Sequence, residues 1–314
     1  MNIFNAVNEY VERNYYVDVA DKVPVFLCSI GTHIFNGLNK CGTCPFIPTG
    51  DENETFAIDA CILRHDKRPI YTPMSHVADT RLHILMRGMK GSGKSVLINL
   101  FLAPNTGLLS NPANAEIGMG FRTDIGANSI TEAGMFGSVN DDGEIMGRPL
   151  AREMCGGFLG FEEFSALVNA GKKEHSADIT DQLLTSTDNG RVKKVMKAGW
   201  VEYTTRFTLW AGTQPARFEL ESGLDRRFFI IDIEMNPEKE MLFKKAQAKQ
   251  ASMSSAERAE LVELNMKIRE FFTERAMEVI MNPPKSLYFD DAFNEWLFRP
   301  EVRSHEADLF RRLA

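Results

Sequence analysis

Residues 88–95 read Gly-Met-Lys-Gly-Ser-Gly-Lys-Ser, the pattern G-x-x-x-x-G-K-S, and an apolar run over 82–86 leads straight into it. This spacing is what a loop wrapped around a polyphosphate requires. Gly88, Gly91 and Gly93 let the backbone around Ser92 turn its N–H groups inward, Lys94 neutralises the β- and γ-oxygens, and the Ser95 hydroxyl is a ligand for Mg²⁺. The apolar run over 96–102 starts a helix whose positive end faces the phosphates. An ordinary glycine-rich turn is the bland alternative, and the strand pattern before it and helix pattern after it argue against that. ATP and Mg²⁺ are therefore the expected cofactors.

Further short apolar runs at 158–161, 207–211 and 228–233, each bounded by polar residues, pair with 82–86 to predict a mostly parallel sheet in an α/β fold. Ser254 and Glu257 form a capping-box pattern ahead of a long helix with apolar positions at Leu261, Leu264, Ile268, Phe271 and Phe272, closed by Pro283 and Pro284. A second helical block follows from Asp290. The expected division is an N-terminal segment of uncertain fold over 1–80, a nucleotide-binding core over 81–236 and a helical linker and lid over 237–314.

With 44% hydrophobic and 25% charged residues, the composition is that of a soluble globular protein. No apolar run approaches the roughly 18 residues of a membrane span, and the N-terminus lacks the basic-then-apolar plan of a secretory leader, so no membrane contact and a cytoplasmic, nucleoid or nuclear location are expected. A net charge of −7 argues against wholesale coating of nucleic acid but leaves room for a local basic element. Five cysteines, an odd number, do not suggest a disulfide framework.

The run at 158–161 delivers two adjacent carboxylates, Glu162 and Glu163. Beside a phosphate loop the first suits the Mg²⁺ shell and the second suits polarising an attacking water; a solvated helix start is the alternative. Gln214, at the end of the following run, suits sensing a γ-phosphate. Arg226 and Arg227 precede the last apolar run, where a guanidinium suits a neighbouring subunit's nucleotide, or else a surface ion pair.

This series of a phosphate loop, a Glu-Glu strand, a Gln-Pro strand and Arg-Arg-Phe resembles the AAA+ ATPases, and more narrowly the minichromosome maintenance (MCM) helicase motor. Residues 134–157, with Asp142-Gly143 as a turn, resemble that family's hairpin inserted in its second helix, and residues 189–200 resemble its pre-sensor hairpin with Lys-Ala-Gly at the tip. The resemblance covers 81–233 well and 285–313 loosely. It implies an ATP-driven homo-oligomeric ring, hexameric in the family, acting on DNA, with single-stranded DNA in a central channel and replicative helicase activity. By the same resemblance Glu163 is the catalytic carboxylate, Gln214 stands for a sensor Asn and Arg227 for the arginine finger. Glu162 replaces the usual Asp; the second-sensor arginine has no clear match, because His305 falls near its place with Arg303, Arg311 and Arg312 only as neighbours. The first 80 residues do not resemble the family's DNA-binding domain.

Independently of any family, Arg191, Lys193, Lys194 and Lys197 fall within seven residues, flanked by Trp200 and Tyr203, a set suited to gripping a phosphate backbone. A solvated charged ribbon is the alternative. Cys41, Cys44, Cys61 and His65 make C-x2-C-x16-C-x3-H, within the range of structural Zn²⁺ sites, with free thiols as the other reading. Two other functions share these motifs: an AAA+ protein-remodelling or chelatase-type ATPase, and a nucleotide-dependent loading factor that hydrolyses slowly.

Overall fold

The computed structural model describes residues 1–14, 19–34, 81–110, 120–126, 130–143, 145–165, 167, 179–188, 190–215 and 227–281. Cys41, Cys44, Cys61 and His65 lie outside them, as do Arg226, Arg303, His305, Arg311 and Arg312.

Five strands form one parallel sheet: β1 (His83–Arg87), β2 (Thr123–Ile125), β5 (Phe158–Phe161), β8 (Thr208–Thr213) and β9 (Phe228–Asp232), in the order β2-β5-β8-β1-β9. Every residue of β5 and β8 is buried, as a sheet covered on both faces requires. The strands fall where the apolar runs predict them, within two residues at each end. β2 is the exception: Thr-Asp-Ile is too short and polar to stand out, and it is a strand because it pairs with β5 through Thr123↔Phe158 and Ile125↔Gly160.

The alternation along β1 divides the core in two. Ile84 and Met86 join Trp210, Phe101 of helix α3 (Lys94–Leu102) and Phe26 of helix α2 (Val23–Thr32) on one face. Leu85 joins Leu209, Ala211 and Leu159 on the other, under helices α4 (Glu132–Phe136), α5 (Leu150–Glu153) and α6 (Ile179–Asp188). Gly160 makes the first face possible: a Cβ there would lie 2.8 Å from Ile98 of α3 and 2.7 Å from Ile125.

The first helices belong to this core. Helix α1 (Ile3–Asn14) buries Ala6, Val7, Tyr10 and Val11, a one-face helical spacing. Ser29 of α2 donates to Leu82 O at 2.6 Å and accepts from the Trp210 indole at 2.8 Å. His33, fully buried, reaches Gly156 O with Nε2 at 3.0 Å and the Thr208 hydroxyl with Nδ1 at 2.8 Å. Since a carbonyl only accepts, Nε2 carries a proton, and the ring clamps α2 to the sheet.

Two small antiparallel hairpins stand off the sheet. β3 (Ser138–Val139) and β4 (Ile145–Met146) interrupt the chain between α4 and α5, turning where Gly143 adopts φ +82°. β6 (Arg191–Met196) and β7 (Gly199–Thr204) turn through Lys197-Ala198. Both were expected from the sequence. After β9, helix α7 (Pro237–Ala251) starts with Asn236 accepting from Lys239 N at 2.8 Å. Helix α8 (Ser255–Met281) starts with the predicted capping box, Ser254 N donating to Glu257 at 2.8 Å and Glu257 N to Ser254 Oγ at 3.2 Å. Among the described residues no helix is long and apolar enough to cross a membrane.

Candidate nucleotide site and its two hairpins

In parallel sheets with helical crossovers, ligands gather at the carboxyl ends of the strands where the order reverses. Here that point lies between β8 and β1, and the loop 88–93 sits on it. Gly91 at φ +82° and Gly93 at φ +86° hold a turn that residues with a Cβ rarely adopt. A Cβ on Gly88 would lie 2.6 Å from Ile233 O, so the loop also needs glycine for its approach to the end of β9.

Lys94 is buried and folds back into the loop, donating to Gly88 O at 2.7 Å and Met89 O at 2.9 Å, with the Ser92 hydroxyl at 3.4 Å. All its direct partners are neutral. Burial pushes its ammonium below the usual lysine range, and the charge of Glu163 works against that shift. A buried cation whose hydrogen bonds go only to two carbonyls and a hydroxyl is what a polyphosphate would complement.

The two carboxylates after β5 point to different partners. Glu163 accepts from Gln214 Nε2 at 3.0 Å and from the Ser165 hydroxyl at 2.6 Å. Because β5 and β8 are neighbours in parallel register, their carboxyl ends bring Glu163 and Gln214 side by side, next to Lys94 on β1's loop. Glu162 instead accepts from Asn99 Nδ2 at 2.5 Å, and the same amide donates to Ser95 O at 2.8 Å. Glu162 is thus tied to the first turn of α3 behind Ser95. Asn99 was missed in the sequence, though a lone amide four residues after Ser95 in an apolar helix was the available signal. Gly212 was missed as well: a Cβ on it would lie 2.7 Å from Glu162 O and 3.4 Å from Lys94 Cβ.

No protein-family model and no curated protein matches this chain.

Arg87, just before the loop, forms a two-pronged ion pair with Asp232, at 2.6 and 2.8 Å, joining the ends of β1 and β9. Arg227 is engaged within the chain: Nε donates to Leu184 O at 3.1 Å and Nη2 to Asp188 at 3.2 Å, in the second half of α6. Arg81 and His83 serve the end of the same helix, donating to Ser186 O at 3.0 Å and Thr187 O at 3.1 Å. These two donors satisfy carbonyls that the last turn of a helix leaves open.

The hairpin cations are placed unequally. Lys194 is mostly buried, donating to Gly137 O at 2.8 Å and pairing with Glu132 at 2.9 Å, so it fastens β6 to α4. Arg191 and Lys193 share Glu202 on β7, at 2.5 and 3.4 Å. Lys197 is exposed in the turn and makes no ion pair among the described residues. Tyr203 donates to Phe136 O at 3.1 Å and its phenol is pushed far above the usual range by burial, which removes it as a stacking platform. Trp200 is 67% exposed and lies opposite Val195, 77% exposed. Between them the two aromatic flanks have split, one structural and one presented to solvent.

Proposed function

We propose that the chain is an ATP-hydrolysing AAA+ motor, similar to the MCM helicase motor, that assembles into a homo-oligomeric ring and acts on DNA. The observation that carries the ATPase reading is the contact between Glu163 and Gln214 beside Lys94. The strand order β2-β5-β8-β1-β9, with the phosphate loop leaving a strand that has the carboxylate strand two places away, supports the AAA+ assignment. Inward amides of the loop and Lys94 hold the β- and γ-phosphates, and Ser95 with Glu162 provides the oxygen donors for Mg²⁺. The bound ion neutralises charge on the phosphate oxygens. Glu163, its orientation set by Gln214 and Ser165, takes the proton of the attacking water.

A second reading, a motor that pulls on polypeptide, has its own support. Three of the four hairpin cations are engaged within the subunit, and the exposed side chains beside the turn are Val195 and Trp200. ATP turnover measured with and without single-stranded DNA, at concentrations where rings are seen by light scattering, separates the two. Stimulation by DNA is expected. Turnover that responds to an unfolded polypeptide and not to DNA would overturn the DNA reading, and absence of turnover in assembled rings would leave the slow loading factor.

A further inference from the structure

A cavity of about 800 Å³ lies between α1, residues 105–106 beyond α3, the end of α7 and the first half of α8. It is remote from the phosphate loop, since the nine residues of α3 span roughly 13 Å at 1.5 Å each and the cavity begins past their far end. Its size is within the range of small-molecule sites, roughly 300–1,000 Å³. Apolar side chains such as Leu261 and Met253 form much of its wall and, among the described residues, neither Asp nor Glu lines it, in a chain where acids outnumber bases 43 to 36.

Arg269 is the unusual member of this wall. It is 6% exposed, donates one hydrogen bond through Nη2 to Gly107 O at 2.5 Å, and its Nε is buried with no partner. No carboxylate pairs with it among the described residues. Burying an uncompensated guanidinium is costly because it loses hydration that must be replaced, and among the described residues only a carbonyl offsets it. Tyr10 does not supply the missing charge: burial raises its phenol, so it stays neutral, and its oxygen accepts from Asn265 at 2.9 Å, leaving its proton to donate. Arg258 lines the same cavity eleven residues earlier on α8, three helical turns away and on the same face, with no ion pair among the described residues.

We propose that this cavity is a binding site for an organic anion: one phosphate or carboxylate group received by Arg269 and Tyr10, on an apolar body lying along Leu261 and Met266 toward Arg258. A guanidinium matches either head group in geometry and charge. The apolar wall excludes an inorganic ion as the preferred occupant. The site stands apart from the proposed ATPase centre and does not depend on it.

The test is a fluorescence titration of the full chain with anilinonaphthalene sulfonate, an anion on an apolar body, in the presence of saturating ATP. One saturable site is expected, weakened about tenfold or more by Arg258→Ala or Arg269→Met, as loss of a charge-assisted contact implies. Arg269 also holds Gly107, so Met266→Trp, which fills the cavity from a half-exposed position, provides a variant whose fold does not rest on that arginine. Displacement by decanoate or by phenyl phosphate assigns the head group as carboxylate or phosphate. Unchanged affinity in folded Arg258→Ala and Met266→Trp proteins would overturn the proposal, as would displacement of the probe by inorganic phosphate alone or by neither organic anion. Loss of the signal on adding ATP to wild-type protein, with none in Lys94→Ala, would assign the probe to the phosphate loop instead.

Discussion

The carboxylate of Glu163 and the amide of Gln214 meet at 3.0 Å although 51 positions separate them in the chain. The amide can only donate there with Nε2, so its oxygen is turned away from the carboxylate. In the proposed ATPase this leaves Glu163 to take the proton. Glu163→Gln should retain ATP binding while turnover falls by about 10²–10⁴, the range of general-base contributions. Gln214→Ala should cost less, because it removes only the orienting contact. Single-turnover hydrolysis with parallel ATP-binding measurements checks both. Wild-type turnover in Glu163→Gln would transfer the role to Glu162.

Lys194 and Lys197 should behave as different kinds of residue. Lys194→Ala leaves Glu132 buried without its cation and should cost about 3 kcal/mol of stability by analogy with broken buried pairs. Lys197→Ala should leave the melting temperature unchanged and, if the turn grips single-stranded DNA, reduce the slope of log affinity against log salt by roughly 0.7. Thermal denaturation and salt-dependent binding read the two effects separately. A Lys197→Ala protein with the wild-type salt slope would favour the polypeptide reading.

Arg227→Ala should act at two levels. Within the subunit it removes the bonds to Leu184 O and Asp188, lowering stability by about 1–3 kcal/mol, the range for hydrogen bonds to a charged group. As a finger it must leave those partners when a neighbour's nucleotide arrives. Mixed rings of Arg227→Ala and Lys94→Ala subunits should then regain activity, because some interfaces hold both intact residues. Verified mixed rings that stay inactive would restrict Arg227 to holding α6.

Asp124, in the middle of β2, has its carboxyl raised above the ordinary value of 3.8 chiefly by burial, despite a hydrogen bond from Ile125 N at 2.8 Å. The folded state therefore binds its proton more tightly than the unfolded state. Its unfavourable contribution is absent below pH 3.8 and grows as pH rises through the raised folded value. Asp124→Asn keeps the acceptor and loses the charge, so its melting temperature should exceed wild type at neutral pH and converge with it in acid. Denaturation curves across that range decide the matter; an offset independent of pH would point to a cause other than titration.

Much of the plan was legible along the chain because it is encoded locally. The phosphate loop depends on glycines at fixed offsets, the sheet on apolar runs long enough to be buried on both faces, and the start of α8 on Ser254 and Glu257 three residues apart. The hairpin turn at Asp142-Gly143 was readable for the same reason, whereas the turn at Lys197-Ala198 was expected only from the resemblance to the family's pre-sensor hairpin.

Partner choice was decided elsewhere. Nothing local to Glu162 and Glu163 says that one turns to Asn99 and the other to Gln214; that follows from which strands lie next to β5 and from the absence of a Cβ at Gly212. Nor does the basic run 191–197 reveal that Lys194 pairs with Glu132 while Lys197 lies exposed in the turn, since side chains alternate along β6 and only the packing of α6 against it, with Glu132 of α4 beside Lys194, makes one face an interior. Local spacing determined the loops, caps and strands of this protein, because backbone conformation depends on near neighbours. Tertiary structure alone decided which charges are paired, because pairing depends on what the sheet order and the two hairpins bring within about 3 Å across tens of residues of chain.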